Sequence, residues 1–117
     1  MIERHGPGTY FHRAVESNGV LYLSGITAGD TSADMGGQTE QILARMAQLL
    51  SELGSGVDRV LAATIYITDM GMKEQMNRAW TAFFAPDALP ARATLGVKDL
   101  GPGVLIEVMV TAAVGRA

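Results

Sequence analysis

Apolar residues recur along this chain in two rhythms. Ile42, Met46, Leu49, Leu50 and Leu53 follow the spacing of one helical face, and Gly54 supplies a C-terminal stop, which predicts a helix over residues 37 to 53. Met76, Trp80, Phe83 and Phe84 repeat that spacing after Asp69, and Pro86 with Pro90 ends the second helix. The other rhythm has a period of two. From Val60 to Thr68 it sets Leu61, Ala63, Ile65 and Ile67 against Val60, Ala62, Thr64 and Tyr66, and the β-branched content favours a strand with both faces largely buried. Two more strands are predicted from Arg92 to Val97 and from Val104 to Val114. Near the N-terminus Asn18-Gly19 is a two-residue hairpin turn inside residues 15 to 24, and Gly25 to Gly37 reads as a surface loop. The order is therefore β-β-α-β-α-β-β, an α+β arrangement in one domain spanning residues 1–117. Two helices cover one face of such a sheet, and the other face calls for oligomerisation.

Composition narrows the function. With 117 residues, 48% of them hydrophobic and 18% charged, the chain can bury one core without staples. A net charge of -3 with scattered basic residues offers no track for a phosphate backbone, so nucleic acid is not the expected ligand. The absence of cysteine removes disulfides, thiolate nucleophiles and thiolate zinc sites. No signal or transit pattern and no apolar run of membrane-spanning length stands in the sequence, which makes a cytoplasmic location the default and a membrane role unexpected.

Two charges stand out. Arg92 opens a predicted strand in Leu89-Pro-Ala-Arg-Ala-Thr-Leu95, and a partly buried guanidinium there needs a planar anion, from the protein or from a ligand. Glu107 is the sole acid in Val104-Leu-Ile-Glu-Val-Met-Val110. Either it faces solvent, or it sits in a cleft where desolvation suits it to proton transfer. Alternation groups it with Leu105 and Met109, opposite Ile106, Val108 and Val110. His5 and His12 lack ligating neighbours and read as surface residues, so no metal is expected. Gly6-Pro-Gly8 and Gly101-Pro-Gly103 read as turns, and the methionines and Trp80 as packing residues.

Several blocks together resemble the RidA (YjgF) family of reactive intermediate deaminases over nearly the whole length. They are Leu21-Tyr-Leu-Ser-Gly25, Gln38-Thr-Glu-Gln-Ile-Leu43, Asp69-Met70 followed by Asn77-Arg-Ala-Trp-Thr-Ala-Phe-Phe84, and Pro90-Ala-Arg92 with Ile106-Glu107 beyond it. The resemblance implies a chorismate-mutase-like fold and a homotrimer whose sheets form an inner barrel, with clefts between subunits. It implies cofactor-independent hydrolysis of 2-imino acids to 2-oxo acids and ammonia. Arg92 would bind the substrate carboxylate and Glu107 would activate water, while Ser24, Asn77, Thr94 and an aromatic at Tyr10 or Phe11 would line the cleft. Thr94 stands where many relatives carry Cys, Ile26 where Gln is common and Arg45 where Asn is common, which suggests a distinct substrate preference. The competing expectation is a non-catalytic member that binds a small carboxylate or a partner in the same cleft.

Overall fold

The computed structural model describes residues 1–115. Its elements are β1 (Ile2–Pro7), β2 (His12–Ser17), β3 (Val20–Leu23), α1 (Met35–Glu52), β4 (Val60–Ile67), α2 (Lys73–Phe83), β5 (Ala91–Gly96) and β6 (Ile106–Ala113), with three short 3₁₀ turns between them. One mixed sheet runs in the order β1-β2-β3-β6-β4-β5. The pair β4 and β5 is parallel and every other neighbour is antiparallel.

β1 is an addition to the expected order. Its sequence, Ile-Glu-Arg-His-Gly-Pro, shows no apolar alternation because it is a largely exposed edge strand held by backbone pairing to β2. The next hairpin turns as expected, with Asn18 and Gly19 both at positive φ, 52° and 78°. α1 begins two residues before the predicted start, because the Asp34 side chain accepts the Gly37 N–H at 2.8 Å and caps the helix ahead of its two glycines. At its other end the Ser55 N–H reaches the Leu50 carbonyl at 2.8 Å across a left-handed Gly54, so the stop is a Schellman turn.

Both helices pack on one face of the sheet. Leu21, Leu23, Ala63, Ile65, Ile67, Ile106, Val108 and Val110 point into the core against Ile42, Met46, Leu50, Met76 and Trp80. The opposite face is open in the single chain. β4 is therefore buried on one face, and the expectation of two buried faces fails because Ala62, Thr64 and Tyr66 have no intrachain cover. Tyr22, Leu95 and Met109 share that open face and are each more than two-fifths exposed. No helix among the described residues is long and apolar enough to cross a membrane.

One buried side chain ties the layers together. The Gln38 amide, fully buried on α1, donates to the carbonyls of Thr31, Ala33 and Gly103 at 3.3, 3.1 and 2.9 Å, and its oxygen accepts the Leu105 N–H at 3.0 Å. It fixes the approach to α1 and the entry to β6 at once. Gln38→Leu strands four backbone groups away from water and is expected to cost about 2–4 kcal/mol. Chemical denaturation checks this; a loss below about 1 kcal/mol would show that water takes over the bonds.

Candidate functional site

Register decides which charges can meet. Arg92 pairs with Ala63, and Ala63 pairs with Val110, so Arg92 leaves the sheet on the helix side. Glu107 pairs with Tyr66, and Tyr66 pairs with Leu95, so Glu107 leaves on the open side, as the alternation of β6 predicts. Strand spacing and rise put their α-carbons roughly 14 Å apart, with the side chains diverging. The structure thus separates the two leading candidates.

Arg92 lies over the indole of Trp80, 5.3 Å from its centroid. No ion pair within 4.0 Å holds it among the described residues, and burial lowers its pKa from the ordinary value. A guanidinium remains charged even so. Stacking supplies a face without neutralising the charge, and the planar fork remains available to an anion. Thr94 lies two residues beyond Arg92 on the same face of β5, and Asn77 stands one turn before Trp80 on α2. Thr94 Oγ1 and Asn77 Oδ1 are both buried without a hydrogen-bond partner among the described residues. Unsatisfied polar atoms beside a desolvated cation fit a surface that a polar ligand completes.

The second group surrounds Glu107. Tyr22 pairs with Thr111 and Ile26 with Val108, so β3 uses one more residue than β6 over that stretch. The extra residue makes a bulge at Ser24–Gly25. There the Gly25 backbone lies directly against Glu107, and a Cβ on Gly25 would come 2.9 Å from the carboxyl carbon. Ser24 Oγ donates to the His12 carbonyl at 2.7 Å, which anchors the bulge to β2. Tyr10 joins neither group, since it is 91% exposed at the tip between β1 and β2, and neighbouring Phe11 is 59% exposed. Arg45 is exposed on α1, far along the chain from either group, and bonds Gln48.

His5 departs from its reading as a surface residue. It is about one-third exposed, and its Nε2 lies 3.7 Å from Glu16 Oε1. The described residues hold no cluster of three potential metal ligands. Two contacts of the candidate residues escaped the sequence. The role of Trp80 under Arg92 was hidden in a helical stripe that reads as packing, and Gly25 carried no signal beyond its place after Ser24.

The class defined here is a small α+β domain with two helices on one face of a mixed sheet and its charged candidates divided between the faces. The chain belongs to the Endoribonuclease L-PSP family, the YjgF or RidA group, whose model matches residues 2–114. A RutC family protein of Haemophilus ducreyi is 32% identical over 116 residues, covering 99% of each chain. The RutC family protein YoaB of Escherichia coli is 32% identical over 97 residues, 83% of this chain and 84% of that one. A YjgF family structure from Neisseria meningitidis superposes with a TM-score of 0.93 at 33% identity, covering 100% of this chain and 98% of the other.

The Gly25 contact is testable directly. Gly25→Ala is expected to swing the Glu107 carboxyl off the bulge in a crystal structure while strand register is kept. An unmoved carboxyl would show that the backbone yields instead.

Proposed function

We propose that the protein hydrolyses 2-imino acids to 2-oxo acids and ammonia at sites completed between neighbouring copies in a homotrimer. The observation that carries this reading is the division of Arg92 and Glu107 between opposite faces of one sheet. In a 2-imino acid the carboxylate is bonded to the imine carbon, so side chains that diverge on opposite faces from α-carbons roughly 14 Å apart cannot both reach it. A second copy resolves the mismatch by presenting its Arg92 edge to the Glu107 face of the first. The open face, with Tyr22, Leu95 and Met109 exposed, supplies the apolar area that would hold such an assembly together.

The chemistry then needs few parts. Arg92 grips the carboxylate in a bidentate fork, with Thr94 and Asn77 as nearby polar contacts. Glu107 accepts a proton from water as the oxygen adds to the electrophilic imine carbon. That proton passes from Glu107 to nitrogen, and as the C–N bond breaks and ammonia leaves, the carbinolamine hydroxyl gives its own proton back to Glu107, so the carbonyl remains. No cofactor enters this sequence. A simple carboxylate binder gains nothing from Glu107, whose charge would oppose the ligand, and this favours the enzyme over the binding module. The family description names ribonuclease chemistry, but a net charge of -3 without a basic track gives an RNA strand little to hold. A cytoplasmic setting, where such imines arise, accords with this role.

Two measurements test the reading. Imines generated in situ by an amino-acid oxidase should decay faster with the protein present. Arg92→Ala should lose about 10- to 100-fold in kcat/KM with weaker binding, and Glu107→Gln should retain 2-oxo acid binding while turnover falls by about 10²-fold or more. No acceleration for small, branched and aromatic imines would favour the binding module.

The shared site makes a sharper forecast. Light scattering should give three copies, and subunits of Arg92→Ala and Glu107→Gln, mixed by unfolding and refolding together, should recover activity. Random association leaves about one site in four with both native groups. Mixtures as inactive as either variant alone would place both residues in one subunit's site or in none.

A further inference from the structure

Arg13 is, with Arg92, one of two half-buried guanidiniums among the described residues that have no acid within 4.0 Å. It stands on β2, opposite in phase to buried Ala14, and therefore on the open face that carries Glu107. Its Nη1 donates to the carbonyls of Ser24 and Gly25 at 3.4 and 3.3 Å, the bulge whose Gly25 lies against Glu107. No carboxylate comes within 4.0 Å of it among the described residues, although the side chain is half-buried. Across the β1–β2 pair Gly6 makes room for its stem, since a Cβ there would come 2.6 Å from the Arg13 Cβ. Two carbonyls hold one nitrogen of the fork, and no described residue takes the others.

We propose that the site takes imines of dicarboxylic amino acids, with Arg13 receiving the side-chain carboxylate that Arg92 does not hold. This rests on the hydrolase reading above, which brings a neighbour's Arg92 to the Glu107 face. The charge balance supports it. Arg92, Arg13 and Glu107 sum to one positive charge. A protonated imine with one carboxylate is neutral and leaves that charge uncompensated, whereas one with two carboxylates carries a single negative charge and cancels it. A dicarboxylic imine thus meets a guanidinium at each end, with the carboxylate that accepts the water proton between them.

The test compares probes that differ in the second carboxylate. Calorimetric titration of the assembled protein with 2-oxoglutarate and 2-oxobutanoate should show preference for the first by about 10-fold or more, because only the first has a carboxylate to pair with Arg13. The 2-oxo acids lack the imine charge, so this arm reads the Arg13 contact and the imine-decay arm reads the charge balance. Arg13→Ala should abolish that preference, leaving 2-oxobutanoate binding within about two-fold, and Arg13→Lys should restore part of it. Arg13→Gln, which keeps a donor for the bulge carbonyls but no charge, guards against a folding defect and should behave as Arg13→Ala does. Imine decay measured on the glutamate and 2-aminobutanoate products of an oxidase should follow the same order. Equal loss for both probes, or no change for either, would make Arg13 a clamp for the bulge and overturn the inference alone. Failure of both probes to bind, with no imine decay, would overturn the hydrolase reading and this inference with it.

Discussion

A sheet covered on one side only is the constraint from which the rest of this molecule follows. Two amphipathic helices bury the inner residues of β3, β4 and β6, and the described residues offer no further element for the outer ones. Period-two alternation then sorts every strand residue into a core set or an uncovered set. Arg92 falls into the first set and Glu107 into the second. The architecture therefore separates two groups that the proposed hydrolysis needs together, and the proposed association of copies would reconcile them.

Electrostatics adds to the same picture. Among the described residues the two half-buried guanidiniums, Arg13 and Arg92, have no carboxylate within 4.0 Å, and the described ion pair is the 3.7 Å contact of His5 with Glu16. A chain that leaves such cations uncompensated at the margins of its core holds free energy that an anion of matching shape releases. Trp80 lowers the cost on one side by offering its ring, and the Ser24 and Gly25 carbonyls do so on the other. Neither arrangement neutralises the charge.

Much of the fold was legible in the sequence because its signals were periodic. Ile42 to Leu53 and Val60 to Thr68 carry their own rhythm, and Gly54 stops its helix as such a residue does. β1 was not legible, since a strand held by backbone bonds at an exposed edge needs no apolar alternation. The early start of α1 was masked by Gly36 and Gly37, whose weak helix propensity is overridden by the Asp34 cap and by Gln38. For the candidate site, alternation gave the face of Glu107, and apolar neighbours gave the partial burial of Arg92. Pairing of Arg92 with Ala63, its stacking on Trp80 and the approach of Arg13 to Gly25 depend on tertiary register, which no local pattern encodes.

The bulge at Ser24–Gly25 sets local economy against purpose. Deleting its surplus residue would let β3 and β6 zip without interruption from Tyr22 to Ile26, a gain for the ladder. It would also carry the small backbone surface away from Glu107 and close the niche that the carboxyl occupies. If Glu107 has the proposed role, variants with this bulge deleted would thus sit on a trade-off, hardier against heat and poorer in chemistry, and a lineage that kept the longer strand would be one in which turnover outweighed robustness.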